Sequence, residues 1–295
     1  MASDPAPVTA SALRQRKNDG SKIVAVTAYD FTMASLLDQG GVDILMVGDS
    51  LGMVVQGLEN TLKVTVEEVC YHGRAVARGA RRAHLVGDLP FMSYQVSPEQ
   101  AVRAAGRLLR EGSFESVKLE GGVVVAEQIR RIVQAGIPVM GHVGLTPQSV
   151  HAMGGFKVQG KDAASQERIL ADAHAVAEAG AYSVVVEGVP TELGRRITEQ
   201  VSIPTIGIGA GADCDGQVLV CYDFLGMYSG LSPKFVQRFA ELGADVVAAT
   251  QRYVAAVRAG EFPTAQHSFT TGKKIPTGSP AYGDQAPYGP RAEKD

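Results

Sequence analysis

The chain has 295 residues, enough for one large α/β domain or two small ones. A formal net charge of −3 supplies no bulk field toward nucleic acid or an anionic membrane, so neither is expected as a partner. Three cysteines without a CxxC pair, no apolar leader in MASDPAPVTAS and no apolar run of the ~18 residues a span requires argue against secretion and membrane insertion, and for a soluble cytoplasmic protein.

Residues 1–10, rich in Ala, Pro, Ser and Thr, are expected to be mobile. The first strand-like run is IVAVTAY (23–29), and a helical stretch with Met33, Leu36 and Leu37 then stops at Gly40-Gly41. DILMV (43–47) is the second run. After the loop GDSLGMVVQGLENTLKV, Thr65 and Glu68 have capping-box spacing and open a helix reaching about Gly79. Cys70 in that helix reads as a small core residue. AHLVGD (83–88) is the third run. Ser97-Pro98-Glu99-Gln100 gives an N-cap, a proline at the first helical position and a box partner, leading a stripe of Ala101, Ala104, Ala105, Leu108 and Leu109.

The fourth run is ESVKLEGG (115–122). A helix through Ile129, Ile132 and Val133 ends at Gly136, and IPVMGHVG (137–144) follows. A long connection, TPQSVHAMGGFKVQGKDAAS, enters a helix to about Ala179; its 151–161 part reads as a loop over the site. AYSVVVEG (181–188) is the sixth run, with Thr191 placed to cap a short helix. IPTIGIGAG (203–211) and GQVLVCYD (216–223) are the seventh and eighth. Ser232-Pro233 is expected to open a helix, another pattern runs from about Ala244 to Ala259, and the tail from Pro263 reads as irregular.

About eight strand-like runs alternating with helices are the pattern of a (β/α)8 TIM barrel, with the catalytic barrel over 11–262. A doubly wound open sheet is the rival; no GxGxxG follows the first strand, and the glycine-rich run comes seventh, where barrels often bind phosphate. In GIGAG (207–211) close packing is the stronger reason for glycine, since a lone glycine-rich loop is weak evidence for phosphate.

Barrel chemistry sits at the strands' C-terminal ends. Four acids occupy such ends: Asp49 after DILMVG, Asp88 after AHLVG, Glu120 closing SVKLE and Glu187 closing YSVVVE. Alternation puts Ser116, Lys118 and Glu120 on the inner wall of the fourth strand, with Val117 and Leu119 facing the helices. Lys118 and Glu120 taken alone also fit a structural ion pair, and a lone strand-end Asp is usually a turn or cap residue. Three clustered carboxylates repel one another unless a cation joins them, and an all-oxygen set favours Mg²⁺ over zinc. Glu187, on a separate strand, suits a general base, with an ion pair to a loop residue as the other reading. His142 in GHVG is either a substrate or metal-supporting hydrogen-bond donor or a structural histidine.

The motifs VTAYD (26–30), VGDSLGMVVQG (47–57), VGDLPFMSY (86–94), VKLEGG (117–122), GHVGLTPQS (141–149), VVEGVP (185–190) and IGIGAGADCDGQVLVCYDFLG (206–226) resemble the ketopantoate hydroxymethyltransferase family, over about residues 8–270. The resemblance implies a (β/α)8 barrel of the phosphoenolpyruvate/pyruvate type, Mg²⁺, 5,10-methylenetetrahydrofolate as co-substrate and a homodecamer. Carried over by motif, it implies Asp49, Asp88 and Glu120 at the metal, Asp49, Ser50, Asp88 and Lys118 on the α-keto acid, and Glu187 as the base. The reaction implied is enolisation of 3-methyl-2-oxobutanoate and attack of the enolate on the folate-borne one-carbon unit, giving 2-dehydropantoate. Another Mg²⁺-dependent enolate enzyme on the same barrel and a catalytically silent scaffold are the alternatives; no KKCGH-like cysteine loop is present for an isocitrate-lyase-type reaction.

Overall fold

The computed structural model describes residues 6–228 and 233–269. Eight strands form a closed parallel barrel in sequence order: β1 (Ile23–Thr27), β2 (Ile44–Val47), β3 (His84–Asp88), β4 (Ser116–Glu120), β5 (Val139–Gly144), β6 (Ser183–Glu187), β7 (Thr205–Ile208) and β8 (Gly216–Leu219). The helices are α1 (Ala10–Asp19), α2 (Phe31–Gln39), α3 (Leu51–Val54), α4 (Val66–Gly79), α5 (Pro98–Gly112), α6 (Ala126–Gln134), α7 (Ala163–Glu178), α8 (Thr191–Gln200), α9 (Cys221–Phe224) and α10 (Leu242–Arg258).

Strand alternation sorts the buried residues into two clusters. Val117, Leu119, Val184 and Val186 point outward and pack with Ala101, Ala104, Ala105, Leu108, Ile129 and Ile132 of the helices. Ala25, Ile44, Met46, Val86, Met140, Val185, Ile206 and Val218 fill the barrel interior. Local signals act as read at several helix starts. Thr65 and Glu68 form a reciprocal capping box on α4. Ser97 caps α5 by accepting the Gln100 N–H, with Pro98 in the first turn. The expected box partner behaves differently: Gln100 Oε1 accepts from the Val96 N–H at 3.1 Å, not from Ser97.

Other expectations are corrected. Thr191 does not cap α8; it is the first helical residue, and the Pro190 carbonyl accepts the opening N–H groups of Leu193 and Gly194. β8 ends at Leu219, because Thr27 Oγ1 takes the Cys221 N–H at 3.0 Å and the chain turns into α9. Residues 233–240 are not helical; Phe235 instead lies over Gly209, where an added Cβ would meet its ring at 2.9 Å. Ser232 lies outside the described residues, as does the tail from 270. Cys70, Cys214 and Cys221 are all buried.

Mobility was expected through residue 10, yet Val8 is buried, its N–H bonds to the Arg82 carbonyl, and Thr9 caps α1. Helix α1 was not anticipated from the sequence. It closes the N-terminal end of the barrel: Leu13 is fully buried within the interior cluster. Asp43 fastens this floor, 2.7 Å from Arg16 and 2.9 Å from Arg82, while also accepting the Val24 N–H at 3.0 Å. Burial alone would raise the Asp43 pKa, but the bonds from Arg16, Val24 and Arg82 outweigh it and hold it below its ordinary value. The unfolded chain then binds the extra proton first, so stability rises with pH through that interval. Asp43→Asn is expected to lose about 1.5–3 kcal/mol in urea titrations at pH 7. The difference should shrink below about pH 4, where Asp43 of the unfolded chain protonates, and level off once the native carboxyl protonates in its turn.

Candidate active site

Barrel register brings the charged strand ends together. Asp88 on β3 lies beside Lys118 on β4, Glu120 on β4 beside His142 on β5, and Gly144 on β5 beside Glu187 on β6. Asp49 follows β2 by two residues, and its N–H donates to Asp88 Oδ2 at 3.2 Å. Gly48 permits this approach: a Cβ there would sit 2.9 Å from Ser50 Oγ and 3.7 Å from Asp88 Oδ2. Ser50 Oγ is held 2.8 Å from the buried Tyr29 hydroxyl. Asp49, Ser50, Asp88, Lys118, Glu120, His142 and Glu187 all line one cavity of about 700 Å³ at the C-terminal mouth. Its wall also takes Met53, Phe156, Lys157 and Val158, so the 151–161 loop does lie over the mouth.

Within the cavity Lys118 Nζ lies 2.8 Å from Asp88 Oδ1 and 3.3 Å from His142 Nδ1. The Asp88 contact is ionic rather than a well-directed hydrogen bond. Glu120 Oε1 is buried without a hydrogen-bond donor, and His142 Nδ1 is 3.7 Å away. His142 Nε2 faces Glu187 Oε2 at 3.1 Å, in a bent polar contact. Asp49, Asp88, Lys118, Glu120 and His142 are each about 95% buried or more, whereas the Glu187 side chain keeps 15% of its surface open to the cavity.

Burial pushes the Asp88 carboxyl up to about 7 against the pull of Lys118, with Asp49 adding repulsion. Burial also drives Glu120 well above the carboxylate range against the pull of Lys118, with repulsion from Asp49 and Asp88 adding to the rise and the Gln148 N–H opposing it. At Lys118 burial works against the charge, but Asp88, Glu120 and Asp49 more than offset it and keep the ammonium protonated. Burial, then Lys118, lowers His142 despite Glu187. A neutral imidazole with its proton on Nε2, toward Glu187, leaves Nδ1 as acceptor for Lys118. Three buried carboxylates thus share one cation.

Among the described residues, no three His, Cys, Asp or Glu side chains form a ready metal cage. One oxygen each of Asp49 and Glu120 is engaged by Gln148. The donor set nevertheless suits a hard divalent cation: only carboxylate oxygens, excess negative charge, and a buried Glu120 oxygen with no donor of its own. Sequence reasoning did not single out Gln148 or Tyr94, both buried and bonded to these acids. Asp215, just before β8, pairs with Lys17 of α1 at 2.8 Å, away from this mouth.

Fold and mouth together define a carboxylate-lined (β/α)8-barrel enzyme. Solved structures with this barrel include phosphonopyruvate hydrolase, at a TM-score of 0.59 and 11% identity over 90% of this chain and 92% of that one. Another is 2,3-dimethylmalate lyase, a member of the PEP mutase/isocitrate lyase superfamily, at 0.57 and 19% over 89% and 93%. Such identities establish the fold alone. The family profile for ketopantoate hydroxymethyltransferase matches residues 7–265, and the chain belongs to that family. It is 56% identical over 262 residues to the 3-methyl-2-oxobutanoate hydroxymethyltransferase of Syntrophus aciditrophicus, covering 89% of this chain and 96% of that protein. To the protein of the same name from an Anaeromyxobacter species it is 53% identical over 298 residues, covering 98% of each. Among the described residues no helix is long and apolar enough to cross a membrane.

Proposed function

We propose that this enzyme transfers a hydroxymethyl group from 5,10-methylenetetrahydrofolate to 3-methyl-2-oxobutanoate, with water supplying the hydroxyl, to give 2-dehydropantoate and tetrahydrofolate. The observation that carries the reading is the buried set of Asp49, Asp88, Lys118 and Glu120 set apart from Glu187 across one mouth. Asp49 and Asp88, with Glu120 directly or through water, would hold Mg²⁺. Bound there, the ion supplies Lewis-acid polarisation of the keto acid's oxygens and acidifies C3–H.

The chain's own residues do the rest. Asp49, Ser50, Asp88 and Lys118 bind and orient the keto acid. Lys118, kept cationic by three acids, faces the oxygens on which negative charge builds. Glu187 removes the C3 proton, and the C–H electron pair moves toward the carbonyl oxygen as the enolate forms. His142, holding its Nε2 toward Glu187, steadies that carboxylate at C3. C3 then forms its new bond to the one-carbon unit; the two bonds from that carbon to the folate nitrogens break, water supplies the hydroxyl, and the C3 proton and the water's second proton end on those nitrogens as tetrahydrofolate leaves. A five-carbon keto acid fills only part of the cavity, whose upper wall of Met53, Phe156 and Val158 leaves apolar room for a larger flat co-substrate.

A turnover assay tests the reading: 2-dehydropantoate should appear only with keto acid, folate and Mg²⁺ together, and EDTA should abolish it. Turnover of the keto acid without folate would favour a different enolate enzyme on the same barrel. The proposal extends to self-association. Helix α10 buries none of its residues, and Val246, Tyr253 and Val257, spaced along one stripe, are 57%, 58% and 44% exposed. An apolar stripe of this kind fits packing against further copies of the chain, consistent with the homodecamer implied by resemblance. Val246→Asp is expected to shift the light-scattering mass toward smaller species; an unchanged mass would remove α10 from the interface.

A further inference from the structure

We infer that Gln148 is a positioning residue for the acids of the mouth, setting which oxygen of Asp49 and which of Glu120 is left to the cavity. The inference rests on the proposed metal site. Gln148 follows β5 in a single 3-10 turn (Pro147–Ser149) and is buried. Its side-chain Nε2 donates to Asp49 Oδ2 at 2.9 Å and to the Leu89 carbonyl at 3.0 Å. Its backbone N–H donates to Glu120 Oε2 at 3.0 Å. One residue therefore holds one oxygen of each of two acids from different strands, while Glu120 Oε1 keeps no donor.

The amide orientation is itself fixed. Oε1 accepts from the Tyr94 hydroxyl at 2.8 Å and from Gln95 Nε2 at 3.1 Å. A flipped amide would set Oε1 against a carboxylate oxygen and a carbonyl, leaving acceptors facing acceptors. Tyr94 is locked in turn, because its hydroxyl oxygen accepts the Glu120 N–H at 3.1 Å. The hydroxyl has one proton; given to Gln148 Oε1 at 2.8 Å rather than to the Glu120 carbonyl at 3.0 Å, it leaves a lone pair for that N–H. Tyr94 and Gln148 thus link the backbone of one acid to the side chain of another. Partners of this kind fix ligand direction, and losing them typically weakens metal binding by about 10- to 100-fold.

The test uses the full-length protein and Mn²⁺ alone as probe, with free ion counted by electron paramagnetic resonance and folding followed by thermal melts. Gln148→Met keeps the length and the backbone N–H but removes the amide. It is expected to weaken Mn²⁺ binding by about 10- to 100-fold at unchanged stoichiometry. Tyr94→Phe, which removes one of the two donors that hold the amide oxygen, should weaken binding in the same direction by a smaller factor. A folded Gln148→Met protein with native Mn²⁺ affinity overturns the inference, as does a lowered stoichiometry at native affinity, the mark of partial misfolding. Should Gln148→Met fail to fold, Tyr94→Phe decides: native affinity there overturns the inference. A native protein that binds no Mn²⁺ overturns the metal site itself, and the inference with it.

Discussion

Glu187→Gln is expected to slow deuterium exchange at C3 of 3-methyl-2-oxobutanoate by about 10²- to 10⁴-fold, the usual contribution of a positioned general base. The amide has the carboxylate's shape and still reaches the imidazole across the 3.1 Å contact to His142 Nε2, but it does not accept the C3 proton. Exchange followed by NMR without folate isolates this step from one-carbon transfer. Keto-acid binding in the presence of Mg²⁺ should stay close to native, because Glu187 ends β6 while the binding set comes from β2, β3 and β4. Undiminished exchange would remove Glu187 from the role of base. Lost binding with a native exchange rate per bound substrate would place it among the substrate contacts instead.

The reason Glu187 is legible in the sequence is also the reason other parts are not. A period of two within YSVVVE assigns Ser183, Val185 and Glu187 to the barrel interior, and the structure puts Val185 in the inner cluster and Glu187 on the cavity wall. The same rule places Lys118 and Glu120. It does not pair Asp88 with Lys118, because that contact depends on register between neighbouring strands. Gln148 falls in TPQS, where no periodicity marks one residue above its neighbours; its importance lies in partners 28 and 99 positions away. Helix α1 has a weakly apolar sequence with one fully buried leucine, and charge holds it, through Arg16 to Asp43 and Lys17 to Asp215. The segment after α9 carries a Ser-Pro helix signal, but tertiary packing of Phe235 over Gly209 overrides it where the chain is described.

Lys118→Met should have the largest effect on both stability and turnover. The side chain keeps its length and apolar stem but loses the ammonium that Asp88, Glu120 and Asp49 share. Removing one partner of a buried ion pair leaves an uncompensated charge, and the loss is expected to reach about 3–5 kcal/mol in metal-free protein. The sign with pH follows from Asp88. Its folded pKa of about 7 already exceeds the ordinary aspartate value, so the folded state binds the extra proton between the two and stability falls as pH rises through that interval. Without Lys118 the folded pKa climbs further, so thermal melts in EDTA should show the variant far weaker at pH 8 than at pH 5.5. Mg²⁺ should recover part of the stability at pH 8, since a divalent ion replaces the missing charge among the acids. It should not recover turnover, because the ammonium facing the keto acid's oxygens is gone; one such contact is worth about 10²- to 10³-fold in kcat. A variant melting at the native temperature at both pH values would mean that the three acids are neutralised by protons rather than by Lys118.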